Sequence, residues 1–384
     1  MCNLEIKDIS GAIEAFKKTV ELDPKNFQHL KNLSQAYIYS KQWEFARNIL
    51  IKIAPEFLIC RLKLADVCLE MNLYDEANRE LEEIINYKTE KINELDIKAL
   101  ALIRLDRYQE AYDLLSDYER FPVVQFARQK EFTSAELFNL NYKKLPKITV
   151  IKKSFSNTKK MIIYSAADVM YAASYIEGFV ESLQATNPKV VSHFHIMGEN
   201  NEAIQKFISD YGKIVSNKNV SMSFEITPVL NRALCISRRL CRTLQILKLF
   251  KLPVFQVDLD CLFLKDLATV LDLQKLSHIA LYERPNEVSI NQLMLASFCY
   301  FSYTDKALNF LRFVTNYLCY LEFEEKKVKW FCDQVALLAA RRWFLETYTN
   351  DWFTNLNDKH SYLQNGSIFD AIRHFKGVSK QQLT

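Results

Sequence analysis

The chain is 384 residues long, 49 % hydrophobic and 25 % charged, with six glycines and eight prolines. That composition excludes a largely disordered chain and leaves room for two or three domains, each with its own core. The net charge of +4 conceals an asymmetry, residues 1–122 carrying −5 and the remainder +9; a basic second half suits an anionic substrate such as a nucleotide diphosphate as well as it suits a solvated lysine surface. The nine cysteines form no CxxC pair and MCNLEIKDISGAIEAF has no apolar signal region, so the expectation is a reducing cytoplasm and no zinc ribbon. Arg and Lys break the longest apolar runs short of a membrane span, which leaves attachment to the inner face of a membrane open.

One signal appears four times in the first half: GAIEAFKKTVELDP, QWEFARNILIKIAP, LYDEANRELEEI and RYQEAYDLLSDYERFP. Its alanines, Ala12, Ala46, Ala77 and Ala111, lie 34, 31 and 34 residues apart. Trp43, Tyr74 and Tyr108 each precede an alanine by three residues, and Pro24, Pro55 and Pro122 close units. A small residue lets one helix of a pair approach the other, and a proline stops the second helix before the next begins. NFQHLKNLSQAYIYSKQ, EFLICRLKLADVCLEMN and KINELDIKALALIRLD supply partner helices with apolar stripes at helical spacing. This stretch, residues 1–122, resembles tetratricopeptide repeats, which implies an all-α solenoid with a protein-binding surface or a route to a homodimer. The chain starts inside a repeat, so the first pair is expected to lack its own cap.

Residues 123–157 read as a capping helix, VVQFARQKEF, and a lysine-rich join. From residue 158 the pattern changes to KKMIIYSAAD (strand), YAASYIEGFVESLQATNP (helix), VVSHFHIMG (strand), NEAIQKFISDYGKI (helix) and VSMSFEITPV (strand). This alternation predicts a mostly parallel sheet with helices on both faces and ligands at the carboxyl ends of its strands. The helix ISRRLCRTLQILKLF then feeds into PVFQVDLD, which places Asp258 and Asp260 at such an end. Two carboxylates at i and i+2 of a strand point to one face, with Leu259 turned into the core. Beside a nucleotide they offer hard oxygen ligands to Mg²⁺ or Mn²⁺; a lone DxD is a weak signal, which a solvated strand end or a helix cap provides more often.

An apolar strand, DLD and then CLFLKDL resemble the motif of nucleotide-sugar glycosyltransferases of the GT-A fold, in particular family 8, which includes glycogenin and lipopolysaccharide galactosyltransferases. MIIYSAADVMYAASYIEGF is similar to that family's first strand, D-x-x-Y and helix, and HFKGVSK to its H-x-x-G-x-x-K. The resemblance implies an α/β GT-A domain, Rossmann-like, over residues 158–384. It puts Ser165, Ala166, Asp168 and Tyr171 against base and ribose, and Arg242 toward the phosphates. Asp258, Asp260 and His374 become the ligands of Mn²⁺ or Mg²⁺, Asp258 lying nearer the ribose, and Gly377 and Lys380 hold the diphosphate. Asp333 and Gln334 resemble a D-Q pair beside the transferred sugar; a helix cap is the plain alternative for Asp333. The chain departs from the family at Leu295, Ala296 and Ser297, where an Asn-Ala-Gly type turn is usual.

The expectation is therefore a metal-dependent glycosyltransferase using a nucleotide-sugar donor, UDP-sugar favoured, on a protein or glycan acceptor positioned by the repeats. The alternative is a repeat-based adaptor with an inactive transferase-like domain. His193 and His195 alternate on one strand face and read as polar packing. Trp330, Trp343, Trp352 and Tyr348 read as core or as an acceptor groove. SRRLCR lacks the interleaved aromatics of a nucleic-acid surface.

Overall fold

The computed structural model describes residues 8–151, 161–228, 230–272, 275–285, 287–348, 350–357 and 368–374. The chain divides into two compact units, Met1–Tyr118 with Asn286–Ile290, and Glu119–Pro285 with Asn291–Thr384. Among the described residues no helix is long and apolar enough to cross a membrane.

The first unit holds α1 (Ile9–Leu22), α2 (Phe27–Tyr39), α3 (Trp43–Ile53), α4 (Leu58–Glu70), α5 (Tyr74–Asn86), α6 (Ile92–Arg104) and α7 (Tyr108–Ser116). The connections α2–α3, α4–α5 and α6–α7 are the same turn built three times. Lys41, Asn72 and Asp106 adopt left-handed backbone at φ 57, 59 and 57°. The next N–H groups, of Gln42, Leu73 and Arg107, donate back to the carbonyls of Tyr37, Cys68 and Leu102 at 2.9, 2.8 and 2.9 Å. This Schellman closure satisfies the last carbonyls of one helix and reverses the chain into the next. Ala46, Ala77 and Ala111 are wholly buried, which is why the helices can lie close. Ala12 is only partly buried, and Ile13 takes the core position in α1. The pairs Arg47–Glu76 at 2.8 Å and Arg104–Asp66 at 2.5 Å tie successive hairpins together.

The second unit runs α8 (Phe126–Gln129), α9 (Ala135–Lys144), β1 (Ile148–Val150), β2 (Ile162–Asp168), α10 (Val169–Thr186), β3 (Val191–Gly198), α11 (Asn201–Asp210), α12 (Gly212–Ser216) and β4 (Val220–Ile226). It continues through α13 (Arg232–Phe250), β5 (Val254–Val257), β6 (Cys261–Phe263), β7 (Ile279–Glu283), β8 (Met294–Phe301), α14 (Asp305–Cys319), α15 (Cys332–Thr347), β9 (Phe353–Asn355), α16 (Ile368–Ala371) and β10 (Ile372–His374). The main sheet has the order β1-β4-β3-β2-β5-β8-β7-β9. Its centre, β4-β3-β2-β5, is parallel, while β1 on β4 and β8 on both β5 and β7 are antiparallel. With β9 parallel on β7, four of the seven pairs among the described residues are parallel, so the sheet is mixed with a parallel majority.

Residues 119–150 belong to this unit; from 123 on they fall in the stretch, 123–157, that the sequence presents as cap and join. The Val124 N–H donates to the Tyr317 hydroxyl at 2.9 Å, Asn141 bonds Asn316 at 3.3 Å, and β1 closes one edge of the sheet. Alternation along the strands separates two layers. Ile163, Phe194, Met222, Phe224 and Phe255 face an apolar core with Ile176 and Phe179 of α10. Tyr164, His193, His195 and Gln256 turn to the other side, where Tyr164 and Gln256 bond α13.

Candidate active site

Three arginines of α13 define the polar side of the sheet. The helix starts at Asn231, whose side chain accepts the Leu234 N–H at 2.9 Å, and ends at left-handed Lys251. Arg238, Arg239 and Arg242 are all buried, so each needs a carboxylate or carbonyl partner. Arg238 pairs with Glu322. Arg242 meets Glu225 through Nε at 2.7 Å, Gln245 at 2.6 Å and the Pro146 carbonyl at 2.7 Å. That guanidinium, expected near phosphates, is thus engaged within the core.

Arg239 stands at the carboxyl end of β5 instead. It bridges two carboxylates, pairing through Nη1 with Asp258 and through Nη2 with Asp333 at 2.9 Å. Asp258 accepts a second bond at 2.5 Å from the Ser297 hydroxyl. The register explains that contact: Val257 pairs with Phe298 across β5 and β8, so the next residue along faces Ser297. Sequence reasoning had noted Ser297 only as a departure from a family turn; the antiparallel pairing that gives it a role has no local signal.

β5 ends at Val257, so Asp258, Leu259 and Asp260 lie in the turn before β6 and not on an extended strand. Leu259 still enters the core, and Asp260 is buried. Burial pushes the Tyr171 phenol up, and the Asp260 carboxylate, its hydrogen-bond partner, adds to the shift. Asp168 caps α10 by accepting the Tyr171 N–H at 2.8 Å. The D-x-x-Y spacing therefore joins the end of β2 to the turn after β5. Ser165 and Ala166 lie just before that cap on β2, Ser165 buried and Ala166 partly so.

Asp333 and Gln334 open α15. The residue in the cap position is Phe331, at φ 73° and without a side-chain cap bond, so the cap alternative for Asp333 does not apply. Asp333 accepts the Gln334 N–H at 2.9 Å, and burial raises its carboxyl against the pull of Arg239. Gln334 accepts from Arg284 at 3.3 Å.

A divalent cation requires hard oxygen donors and a compensating negative charge. Asp258, Arg239 and Asp333 together carry one net negative charge, and Asp260 follows two residues after Asp258. β10 pairs antiparallel with β6 so that the His374 backbone lies opposite Cys261, the residue after Asp260. Carboxylate oxygens of this kind are the donors that Mn²⁺ or Mg²⁺ takes. Among the described side chains no group of three or more His, Cys, Asp or Glu is gathered for a metal; the His374 side chain, Gly377 and Lys380 lie outside the described residues.

Below this end of the sheet runs a buried chain of polar groups. His193 contacts Ser221 at 3.1 Å and Ser223 at 2.9 Å, and His195 contacts Ser223 at 2.8 Å and Glu225 at 3.2 Å. Burial lowers His193 to about 3 and pushes His195 down against the pull of Glu225. Burial opposes ionisation of Glu225, yet His195, Arg242 and Arg238 hold it well below the carboxylate range.

No protein-family model matches the chain, and no curated protein does. Among solved structures it is similar to the glycosyltransferase GlyE of Streptococcus pneumoniae TIGR4, at 16 % identity over 53 % of this chain and 46 % of that one, with a TM-score of 0.34. The bifunctional glycosyltransferase WbbM is matched at 15 % identity over 54 % and 40 %, with a TM-score of 0.32. The galactosyltransferase LgtC, solved in complex with donor and acceptor sugar analogues, is matched at 15 % identity over 56 % and 87 %, with a TM-score of 0.36. The chain spans less than half the length of GlyE and WbbM.

Proposed function

We propose that this chain is a metal-dependent glycosyltransferase that moves a sugar from a nucleotide diphosphate donor, a UDP-sugar in the favoured case, to an acceptor hydroxyl. The observation that carries the reading is the Asp258–Arg239–Asp333 bridge, seated by Ser297, at the carboxyl end of β5. Ligands of open α/β sheets bind at such strand ends. Asp168 and Tyr171 take the nucleoside side, and Asp258, Asp260 and His374 would hold Mn²⁺ or Mg²⁺, with Gly377 and Lys380 beside the diphosphate. The metal supplies charge neutralisation for the departing diphosphate.

In the transfer, the bond between the anomeric carbon and the diphosphate oxygen breaks with its electron pair leaving on phosphate, and the acceptor oxygen bonds the anomeric carbon as its proton is lost. Arg239 fixes the distance between the donor-binding turn and α15 and prevents the buried Asp333 and the partly buried Asp258 from repelling each other. It takes the place that Arg242 held in the sequence reading. Asp333 and Gln334 then face the transferred sugar, oriented by Arg239 and Arg284. Regular hairpins closed by three Schellman turns support reading the first unit as tetratricopeptide repeats, whose proposed part is to recruit the acceptor or a second copy of the chain.

Calorimetric titration of UDP, GDP and their sugars, with and without Mn²⁺, tests the reading on the wild type and on Asp260→Ala. Micromolar binding of one nucleotide that needs metal and is lost in the variant is the expected outcome. If no nucleotide binds under any metal condition, the transferase reading fails and the adaptor alternative takes its place.

A further inference from the structure

A transferase needs an acceptor, and the turn leading into α15 carries a feature that the donor site does not use. Residues 329–332 form a reverse turn closed by the Cys332 N–H donating to the Lys329 carbonyl at 3.2 Å. Trp330 holds its second position. Phe331 holds the third at φ 73° and ψ 6°, the angles of a type II turn, where glycine is the usual occupant. A phenylalanine there is strained, and such strain persists where the surrounding structure requires it.

What the Phe331 side chain contributes is a contact with its neighbour: the rings of Trp330 and Phe331 meet edge to face, 6.1 Å between centroids and 72° between planes. Trp330 itself is 50 % exposed. Of the other large aromatics of this region, Trp352 is buried and Trp343 partly so, while Tyr348 is half exposed. Trp343 lies against Phe126 and Phe313, and Trp352 stacks on Tyr348 at 4.4 Å beneath the Lys306 ammonium. Lys329, the first residue of the turn, is tied to Glu119 at 2.9 Å. The turn thus displays a half-exposed indole against the Phe331 ring, three residues before Asp333.

We infer that Trp330 is the platform of an acceptor subsite whose ligand is a pyranose sugar. A pyranose has one face of C–H groups that covers an indole without leaving polar atoms unpaired, while its hydroxyls remain free for polar partners; a rigid aromatic gives that contact at little entropic cost. Trp330 precedes Asp333 and Gln334 on the turn that leads into α15, the end of the helix where the donor sugar is proposed to lie. The inference rests on the transferase reading and deepens it: the acceptor is a saccharide, and the strained Phe331 is a positioning residue that acts through Trp330.

The test uses the full chain and three variants, Trp330→Ala, Trp330→Phe and Phe331→Gly. Indole emission is titrated with millimolar methyl β-galactoside, methyl α-glucoside and methyl N-acetyl-β-glucosaminide, with and without UDP and Mn²⁺. Transfer kinetics follow with the sugar that binds and, in parallel, with a serine- and threonine-containing peptide. The expected result is a saccharide response that vanishes in Trp330→Ala, and an acceptor KM raised about tenfold in that variant while UDP affinity stays within twofold. Trp330→Phe recovers part of the KM, and Phe331→Gly raises KM without lowering the thermal midpoint, which a merely structural role would not produce. Saccharide titrations that are the same in wild type and Trp330→Ala, or a peptide used as acceptor with a KM indifferent to Trp330, overturn the inference while leaving the donor site standing. A saccharide response that depends on Trp330 in a chain that binds no nucleotide leaves the sugar site standing and removes the transferase reading.

Discussion

The two faces of the central sheet do opposite things with the same strands. On one, Ile163, Phe194, Phe224 and Phe255 pack with α10 in an apolar core. On the other, Tyr164, His193, His195, Ser223, Glu225 and Gln256 meet three arginines of α13, and all nine of these side chains are buried. The apolar face tolerates any filling of similar volume. The polar face does not, because each buried charge stabilises only when its own partner is in reach. The difference teaches where specificity resides: the apolar layer holds the sheet together, and the polar layer sets the register of α13, which in turn delivers Arg239 to Asp258 and Asp333.

The sharpest way to break this comparison is to injure each face by a similar amount. Phe194→Ala and Glu225→Ala are each expected to cost about 3–5 kcal/mol of stability, the first through a cavity and the second through an orphaned arginine. Under conditions where both remain folded, nucleotide affinity should be kept in Phe194→Ala and lost in Glu225→Ala. Denaturant titration with calorimetry reads both, and equal loss of binding would erase the distinction.

Acid separates the faces without mutation. His193 and His195 are held neutral by burial, so the folded state binds fewer protons than the unfolded chain, and the stability they contribute is full above the ordinary histidine range and lost as pH falls. With His193 lowered to about 3, the sheet unit should lose stability progressively as pH falls below the ordinary histidine range, on the order of 1 kcal/mol per pH unit. Glu225, depressed as well, adds to the loss only below its unfolded value near 4.5. Stability measured against pH in His193→Gln should show a shallower slope over the upper window; an unchanged slope would deny His193 its share.

The smallest effect sharpens the comparison at its edge. Ser297→Ala removes one hydrogen bond to a charged carboxylate and should cost about 1.5–3 kcal/mol. Asp258 keeps Arg239, so the expected signature is weaker metal-dependent nucleotide binding together with a lowered thermal midpoint. A shift in stability alone would make Ser297 structural only.

Much of this arrangement was legible in the sequence. Alanine spacing marked the hairpins, and the same 31- and 34-residue steps reappear between the left-handed turn residues Lys41, Asn72 and Asp106, none of which is the glycine that would have advertised the turn. Strand and helix alternated where expected up to β5, and DLD fell at a strand end. The misreadings have a common cause. Arg239 and Arg242 are three residues apart on one helix, and which of them meets Asp258 depends on helix phase against the sheet. Ser297 depends on strand pairing 39 residues away from Asp258.

What the sequence determined by itself, then, was everything with a local period: helical hairpins at 31 and 34 residues, apolar strands, the capped start of α10 at Asp168, and two aspartates where β5 stops. Only the tertiary structure decided which cation Asp258 faces, that β8 runs antiparallel to β5, and that the chain returns as β10 beside β6 with His374 opposite Cys261. The physical reason is that local periodicity is enforced by backbone geometry within a few residues, whereas the partner of a buried charge is chosen by packing across the whole unit.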